Sequence, residues 1–408
     1  MTAAFRPSGP RSPDGAVRQE NLRDLNLEVV FQRILGAGEP ISRTELASAT
    51  GLTRPTITRI AEELLAGRLI TEKGVTHNGR AGRPRVGLTL SDQGPAGLGL
   101  DIRADGLAAC VVDLTGTVRH LTFAPARYAG REAGAVLTEL AGMARDAAGA
   151  VAAKDLTVVT TTLAVPGPVD GGLVRSAPAL GWRDVAAGTF LGDLGLATAV
   201  DNEANLAALG ELYAADQGDD RALDSFVYVS GGLGIGAGIV LGGRLMRGAR
   251  GWSGELGHVT VQPDGEPCPC GSRGCLQTYA STAAILGGEP VPEGANPDNV
   301  ITERAEAGHP ATLAALERAG TALGIALSGV LNILDLGTVL LGGSFSLMSS
   351  WLTATVKAEI DRRVLTAAWA PVTVRPALLG PDAAVIGAAL TSIDQIRQRP
   401  TVWLARQG

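Results

Sequence analysis

The strongest constraint on the fold is a texture that occurs twice: apolar, strand-like runs joined by glycine turns. Gly97 to Ile102, Leu107 to Asp113 and Val118 to Phe123 make the first set, followed by a helical segment from about Glu132 to Ala148 and a strand at Leu156 to Leu163. Ser225 to Ser230, Ile235 to Leu241 and Arg244 to Met246 make the second. Short apolar runs bounded by glycine are the pattern of strands, and their repetition implies duplicated α/β lobes. A cleft between two such lobes is the expected ligand site. With 408 residues, 45% of them hydrophobic, the chain can bury cores of this size. The predicted body is a first lobe over 91–200, a second over 201–380, and a C-terminal helix within 381–408 that returns to the first.

A different pattern precedes the lobes. Residues 1–18 are predicted to be a disordered leader and 19–90 a small separate domain. Leu22, Leu25, Val29, Val30, Ile34 and Leu35 recur at helical spacing. Ser42 and Glu45 then form a capping-box signature ahead of a short helix carrying Leu46 and Ala47. The chain turns at Thr50-Gly51-Leu52 and enters a second helix near Thr53, with Ile57, Ile60, Leu64 and Leu65 on one side; this is a helix-turn-helix. Pro55 is tolerated in a first turn, where its missing N–H is not needed. Thr53, Arg54, Thr56, Thr58 and Arg59 suit the base edges and phosphates of a major groove, and Arg43 is counted with them as a DNA contact. Arg80, Arg83 and Arg85, set among glycines between strand-like Leu69-Ile70 and Val86 to Leu88, form a basic wing suited to a minor groove. A structural helix pair and a solvated linker are the alternatives for these two segments taken singly. Residues 1–95 hold 13 Arg/Lys against 10 Asp/Glu, the rest 22 against 31, within a net charge of -6. Such asymmetry permits local nucleic-acid contact and argues against coating by the whole molecule.

Within the body, Asp201 to Asn205 lies between strand-like Leu196 to Val200 and a helix from Leu206 to Tyr213. Polar groups at the carboxyl end of a strand project into a crevice, which makes Asn202 and Glu203 candidate ligand residues; Asn202 also fits a helix cap. The run Gly231 to Gly238 allows close backbone approach to a ligand, but it lacks the lysine and hydroxyl of a Walker motif, and tight turns use glycine for their own reasons.

His258, Cys268, Cys270 and Cys275 form a tetrahedral zinc set of the closed, structural kind; redox activity and unliganded core thiols are the alternatives. Gly271 and Gly274 let the chain turn back so that Cys275 reaches the same ion. Cys110, in an apolar strand, reads as inert core. His258 can present its second ring nitrogen, and Glu255 its carboxylate, to ligand hydroxyls. No apolar run reads as a membrane span or signal peptide, so the expectation is a cytoplasmic, nucleoid-associated protein.

Together these segments resemble the ROK family, named for repressors, open reading frames and sugar kinases. The likeness extends over nearly all of the chain beyond residue 20. Its motifs occur in order: the helix-turn-helix, Glu255-Leu256-Gly257-His258, Cys-x-Cys-Gly-x-x-Gly-Cys from Cys268 to Cys275, and Leu341-Gly342-Gly343-Ser344. The resemblance implies a winged helix-turn-helix followed by a two-lobed α/β actin-like ATPase (ribonuclease H-like) fold. It also implies zinc on His258 and the three cysteines, and a homodimer or homotetramer. For the repressor branch it implies double-stranded operator DNA and a sugar or related small effector as partners.

Three segments depart from the family's kinases. Asp101-Ile102-Arg103-Ala104-Asp105 stands where they carry an Asp-Gly-Gly-Thr type segment, Asn202-Glu203 where they carry Asn-Asp, and Gly232-Leu233-Gly234 where they carry Gly-Thr-Gly. A carboxylate displaced by one methylene is poorly placed as a base, so the expectation is a sensor with no enzymatic activity. A bifunctional ATP-dependent sugar kinase and a ligand-independent DNA-binding oligomer are the alternatives. Gln277 follows Gly274-Cys275-Leu276, where many members have a sugar-contacting glutamate. Because glutamine can donate as well as accept, it joins the ligand candidates and implies a changed ligand.

Overall fold

The computed structural model describes residues 19–74, 86–103, 105–193, 195–217, 223–292 and 294–406. Two five-stranded sheets carry the body, and they share one topology. In the first, Gly94–Arg103, Gly106–Asp113 and Val118–Pro125 form an antiparallel meander. Leu156–Val165 and Thr198–Asn202 extend it in parallel on the other side of the first strand. In the second sheet, Phe226–Gly231, Ile235–Leu241 and Arg244–Leu245 repeat the meander, and Thr338–Gly343 and Thr373–Pro376 repeat the parallel pair. In each, the spatial order is third, second, first, fourth, fifth. The first sheet runs through Asn202, two residues past the expected lobe boundary at 200.

The first strand of the body is covered on both faces, which is why it reads as a nearly continuous small and apolar run. On one face lies the helix Ala133–Ala152, burying Val136, Leu137, Leu140, Ala144, Ala147 and Val151 at helical spacing. On the other lies the helix Ala383–Gln398, and the strand's glycines permit its approach: a Cβ on Gly99 would sit 2.1 Å from the Val385 carbonyl oxygen. The helix Glu203–Gln217 crosses the same C-terminal helix just as closely, with the Gly387 Cα against Leu206. Glu211 on that crossing helix is buried, and its carboxylate accepts the backbone N–H groups of Leu378 and Leu379 at 2.8 and 2.7 Å, tying the helix to the second lobe.

Two features were not anticipated from the sequence. Val169–Asp170, Leu173–Ala177 and Trp182–Val185 build a small antiparallel sheet, and Trp182 is buried in the first core. The expectation that no segment is long and apolar enough for a membrane span is also corrected: the 25-residue helix Pro310–Leu334 meets that test of length and composition. It is a core element of the second lobe, packing Leu316, Leu323, Leu327 and Leu331 among the buried side chains of that sheet and of the helix Ser349–Arg363.

At the N-terminus, the helices Gln19–Leu35, Arg43–Thr50 and Arg54–Ala66 precede the strands Ile70–Lys73 and Gly87–Leu90, and Gly87–Leu90 pairs with both Ile70–Lys73 and Ile41–Ser42. The local rules are obeyed closely. Ser42 and Glu45 make both bonds of a capping box, Gly51 ends the first short helix at φ 73°, and Thr53 caps the next, with Pro55 in its first turn. This head does not own a separate core. Leu27, Phe31, Ile57, Ile60 and Leu64 belong to one apolar cluster with Cys110, Val112, Ile393 and Trp403 of the body. The Trp403 indole N–H donates to the Gly67 carbonyl at 2.6 Å, and the Gln32 amide donates to the Arg397 carbonyl.

Candidate functional site

The carboxyl ends of the first sheet's strands hold a buried charge cluster. Asp101, near the end of Gly94–Arg103, is 1% exposed and accepts from Arg103 Nε at 2.6 Å; Arg103 Nη2 reaches Asp382 Oδ1 at 3.1 Å, and its guanidinium lies 5.4 Å from the Phe123 ring centroid. Asp101 Oδ1 has no hydrogen-bond partner among the described residues. Burial raises the Asp101 carboxyl above its ordinary range, reinforced by Asp105 and Asp382 and opposed by Arg103. Asp105 in turn accepts from Asn296 Nδ2 at 3.1 Å, a bond that reaches across from the second lobe. Ala104 lies outside the described residues.

Glu203 begins the helix that follows strand Thr198–Asn202. Desolvation pushes its carboxyl up to about 7; Asp101 and Asp105 add repulsion, while Arg103 pulls in the other direction. Asn202, a ligand candidate that also fits a helix cap, is bonded locally. Its Oδ1 accepts the N–H groups of Ala204 and Asn205 at 2.9 and 3.3 Å and caps the helix, while its Nδ2 donates to the Gly167 carbonyl at 3.0 Å, in the loop after strand Leu156–Val165. Neighbouring Asp201 is bound by Arg247 Nη2 of the second lobe at 2.6 Å. Asn205 is buried, and its Oδ1 is unpartnered among the described residues.

Across the cleft, Gly232 accepts the Thr282 N–H at 2.9 Å, and the exposed Leu233 forms the tip of the glycine turn. Asp298 collects two hydroxyls, Thr282 Oγ1 at 3.0 Å and Ser344 Oγ at 2.5 Å, which fixes the turn that follows strand Thr338–Gly343. Burial raises the Asp298 carboxyl as well.

The third part is the His258–Cys275 segment. Leu256–His258 is one turn of 3-10 helix set against the second sheet by the Ala237 N–H bond to the Gly254 carbonyl at 2.7 Å. Gly254, at φ 99°, has its Cα so close to the Ala237 carbonyl that no side chain fits. Cys268 N–H donates to Ser272 at 2.9 Å and Leu276 N–H to Val259 at 2.9 Å, while Gly271 and Gly274 take positive φ to turn the chain back. The result is a single cluster: one ligand atom from each of His258, Cys268, Cys270 and Cys275 lies within 4.8 Å of every other. His258 Nδ1 stands 3.9 Å from Cys268 Sγ, and Cys270 Sγ 3.8 Å from Cys275 Sγ. Metal–sulfur bonds of ~2.3 Å in a tetrahedron require sulfur–sulfur edges of ~3.8 Å, so the donor set fits a metal ion. With Nδ1 facing the thiols, the other ring nitrogen of His258 remains for a second partner. Glu255 precedes the same turn; partial desolvation raises its carboxyl, and His258 draws it back.

Gln277, a ligand candidate, also makes a contact that its sequence position did not suggest. Its Nε2 donates to Cys268 Sγ at 3.1 Å, so the amide faces the metal cluster. A glutamate could not make that bond, because an ionised carboxylate has no proton to give.

In the head, Arg54, Thr58 and Arg59 are exposed, and neither arginine forms an ion pair among the described residues. The Thr53 and Thr56 hydroxyls bond each other at 2.8 Å, and Thr58 Oγ1 donates back to the Arg54 carbonyl at 3.0 Å. Arg43 is paired with Glu72 at 2.8 Å, which joins the short helix to strand Ile70–Lys73. Arg80, Arg83 and Arg85 lie outside the described residues.

Sequence reasoning passed over Arg247 and Asp298, and it placed Asp101 and Asn205 in their segments without giving either a role. Asp101 had a legible signal, the one carboxylate of a mostly apolar strand, near its carboxyl end. Arg247 and Asp298 had none, because their partners Asp201 and Ser344 are 46 residues away in each case.

Comparison with known proteins agrees with this geometry. The ROK family model matches residues 98–395. The putative xylose repressor of Caldicellulosiruptor sp. (strain Rt8B.4) is 28% identical over 400 residues, covering 93% of this chain and 98% of that protein. Among solved structures, a ROK family transcriptional regulator described as a homolog of the E. coli MLC protein superposes with a TM-score of 0.74 at 28% identity, covering 94% of this chain and 99% of its own. A glucokinase of Halalkalibacterium halodurans is 32% identical over 244 residues, 55% of this chain and 73% of that enzyme. That match overturns the expectation of no enzymatic activity, since a named kinase shares most of its length with this chain. The two lobes have the actin-like α/β fold of sugar kinases, and the chain belongs to the ROK family, in relation to its repressor branch.

Proposed function

We propose that the protein is a DNA-binding transcriptional repressor whose two-lobed body binds a sugar, of the pentose or hexose class, and adjusts operator affinity in response. The observation that carries this reading is the extent of the repressor match, which takes in head and body together. The N-terminal helices act as a winged helix-turn-helix on double-stranded operator DNA. Thr53, Arg54, Thr56, Thr58 and Arg59 face the major groove, and Arg80, Arg83 and Arg85 reach the minor groove. Arg54, Thr58 and Arg59 support it by standing exposed on a capped helix. A homodimer or homotetramer presents two heads to the halves of an operator. In the cleft, Glu203, Glu255 and His258 take the sugar hydroxyls. Zinc on His258, Cys268, Cys270 and Cys275 serves structure, fixing the ring of His258 and the turn that carries Glu255.

A second reading, ATP-dependent phosphorylation of the bound sugar, is favoured by the similarity to a glucokinase and by the place of Glu203, desolvated beside Asp101 and Arg103 with its carboxyl raised to about 7, where a general base is effective. Incubating the protein with ATP, magnesium and a panel of sugars, and measuring sugar phosphate, separates the two readings. Operator binding measured with and without each sugar tests the first. A sugar that changes operator affinity by about tenfold, equivalent to ~1.4 kcal/mol of coupling, supports it, and a panel without effect on binding opposes it.

A further inference from the structure

The first helix carries two apolar faces, and the fold uses one. Leu27, Val30, Phe31 and Ile34 are buried in the shared core. Leu22, Leu25 and Val29 lie on the opposite side and are 46%, 54% and 44% exposed. Their spacing of three and then four residues is that of a heptad seam, with Leu22 and Val29 in equivalent positions and Leu25 between them. In that register Glu28 and Arg33 flank the seam, five residues apart on opposite sides. This is the arrangement in which the glutamate of one helix meets the arginine of a parallel partner helix. Neither Glu28 nor Arg33 forms an ion pair among the described residues, whereas Arg23, on the inner side, is bound to Glu63. We infer that this outer face pairs with the same face of a second copy of the chain, in parallel, placing two heads side by side.

The seam is only two turns long, so it does not hold two chains together alone. It sets the orientation of heads already brought together by the bodies. The inference rests on the oligomer in the reading above but not on DNA binding, and its test uses no DNA. Full-length Leu25→Cys is treated with a short bis-maleimide and compared with the parent protein and with Glu39→Cys, an exposed site off the seam. Circular dichroism melts verify that each variant folds. Covalent dimer well above both controls is the expected result. In the Leu25→Cys background, Glu28→Arg and Arg33→Glu each lower the cross-linked fraction by about twofold or more, and the two together restore it, as complementary flanking charges require.

Cross-linking at the level of Glu39→Cys in a sedimenting dimer overturns the inference while leaving the oligomer intact. Cross-linking that ignores the charge exchange overturns the parallel register. A Leu25→Cys thiol that reacts with maleimide only after residues 1–18 are deleted assigns the face to the chain's own N-terminal segment and also overturns it.

Discussion

Glu203 shows how a single carboxylate makes stability depend on pH. Its folded value of about 7 lies above the ordinary 4.5. Between those values the folded protein retains a proton that the unfolded chain has released. The stability associated with the group is therefore complete below pH 4.5 and is lost as pH rises through 7. The melting temperature is expected to fall between about pH 5 and pH 7.5, and Glu203→Gln to flatten that fall; a parallel profile in the variant would refute the assignment. The metal cluster gives a second test at this scale. Cys275→Ser removes one of four donors, and elemental analysis is expected to show bound metal falling from about one per chain to near zero, with a lower melting temperature. Gln277→Glu places a carboxylate against the Cys268 thiolate and is expected to weaken metal retention against a chelator by about tenfold or more. Unchanged retention would show that the 3.1 Å contact does not matter.

Among the elements, the helices Glu203–Gln217 and Ala383–Gln398 join the cleft to the rest of the molecule. A Cβ on Gly387 would lie 1.8 Å from the Leu206 carbonyl oxygen, so the two backbones touch directly. Gly387→Val forces them apart and is expected to cost on the order of 1–3 kcal/mol in denaturant unfolding; a neutral result would mean that the crossing is looser than its geometry indicates. Much of the element layout was legible in the sequence. Each sheet's meander shows as apolar runs with glycine at the turns, and the capping box at Ser42 and the turn at Gly51 obey local rules that need no knowledge of the fold. Local patterns also left choices open. Asn202 at the end of a strand reads equally as ligand or cap, and the cap bonds to Ala204 and Asn205 show only once the helix start is in place. Gln277 sits where the family resemblance points to sugar, yet its amide follows the Cys268 sulfur, a consequence of how the loop folds back at Gly271 and Gly274. The apolar helix Pro310–Leu334 was missed as a long element because its glycines interrupt the hydropathy without interrupting the helix.

On the scale of the whole molecule, the head is built onto the body through the C-terminus. Arg397 is buried, donates twice to the Leu114 carbonyl, and lies over the Tyr213 ring at 4.7 Å; its own carbonyl takes the Gln32 amide from the first helix. Tyr213 belongs to the helix that begins at Glu203, so one continuous packed route runs from the cleft to the head. The return of a C-terminal helix to the first lobe was legible in sequence, but its contact with the head was not, because Trp403 and Gly67 meet across 336 residues and no periodicity marks such a contact. Trp403→Ala is expected to destabilise the protein by about 3–5 kcal/mol and to loosen the head, read as faster proteolysis near Gly67; equal proteolysis in the two proteins would count against this anchoring.

The central claim is that head and body act together, the one on DNA and the other on a sugar. Genome-wide mapping of DNA bound by the intact protein, repeated with candidate sugars, tests it most directly. The account predicts a small number of discrete sites with two related half-sites, and at least one sugar that changes their occupancy. Absence of specific sites, or occupancy indifferent to every sugar that the body binds, would contradict it.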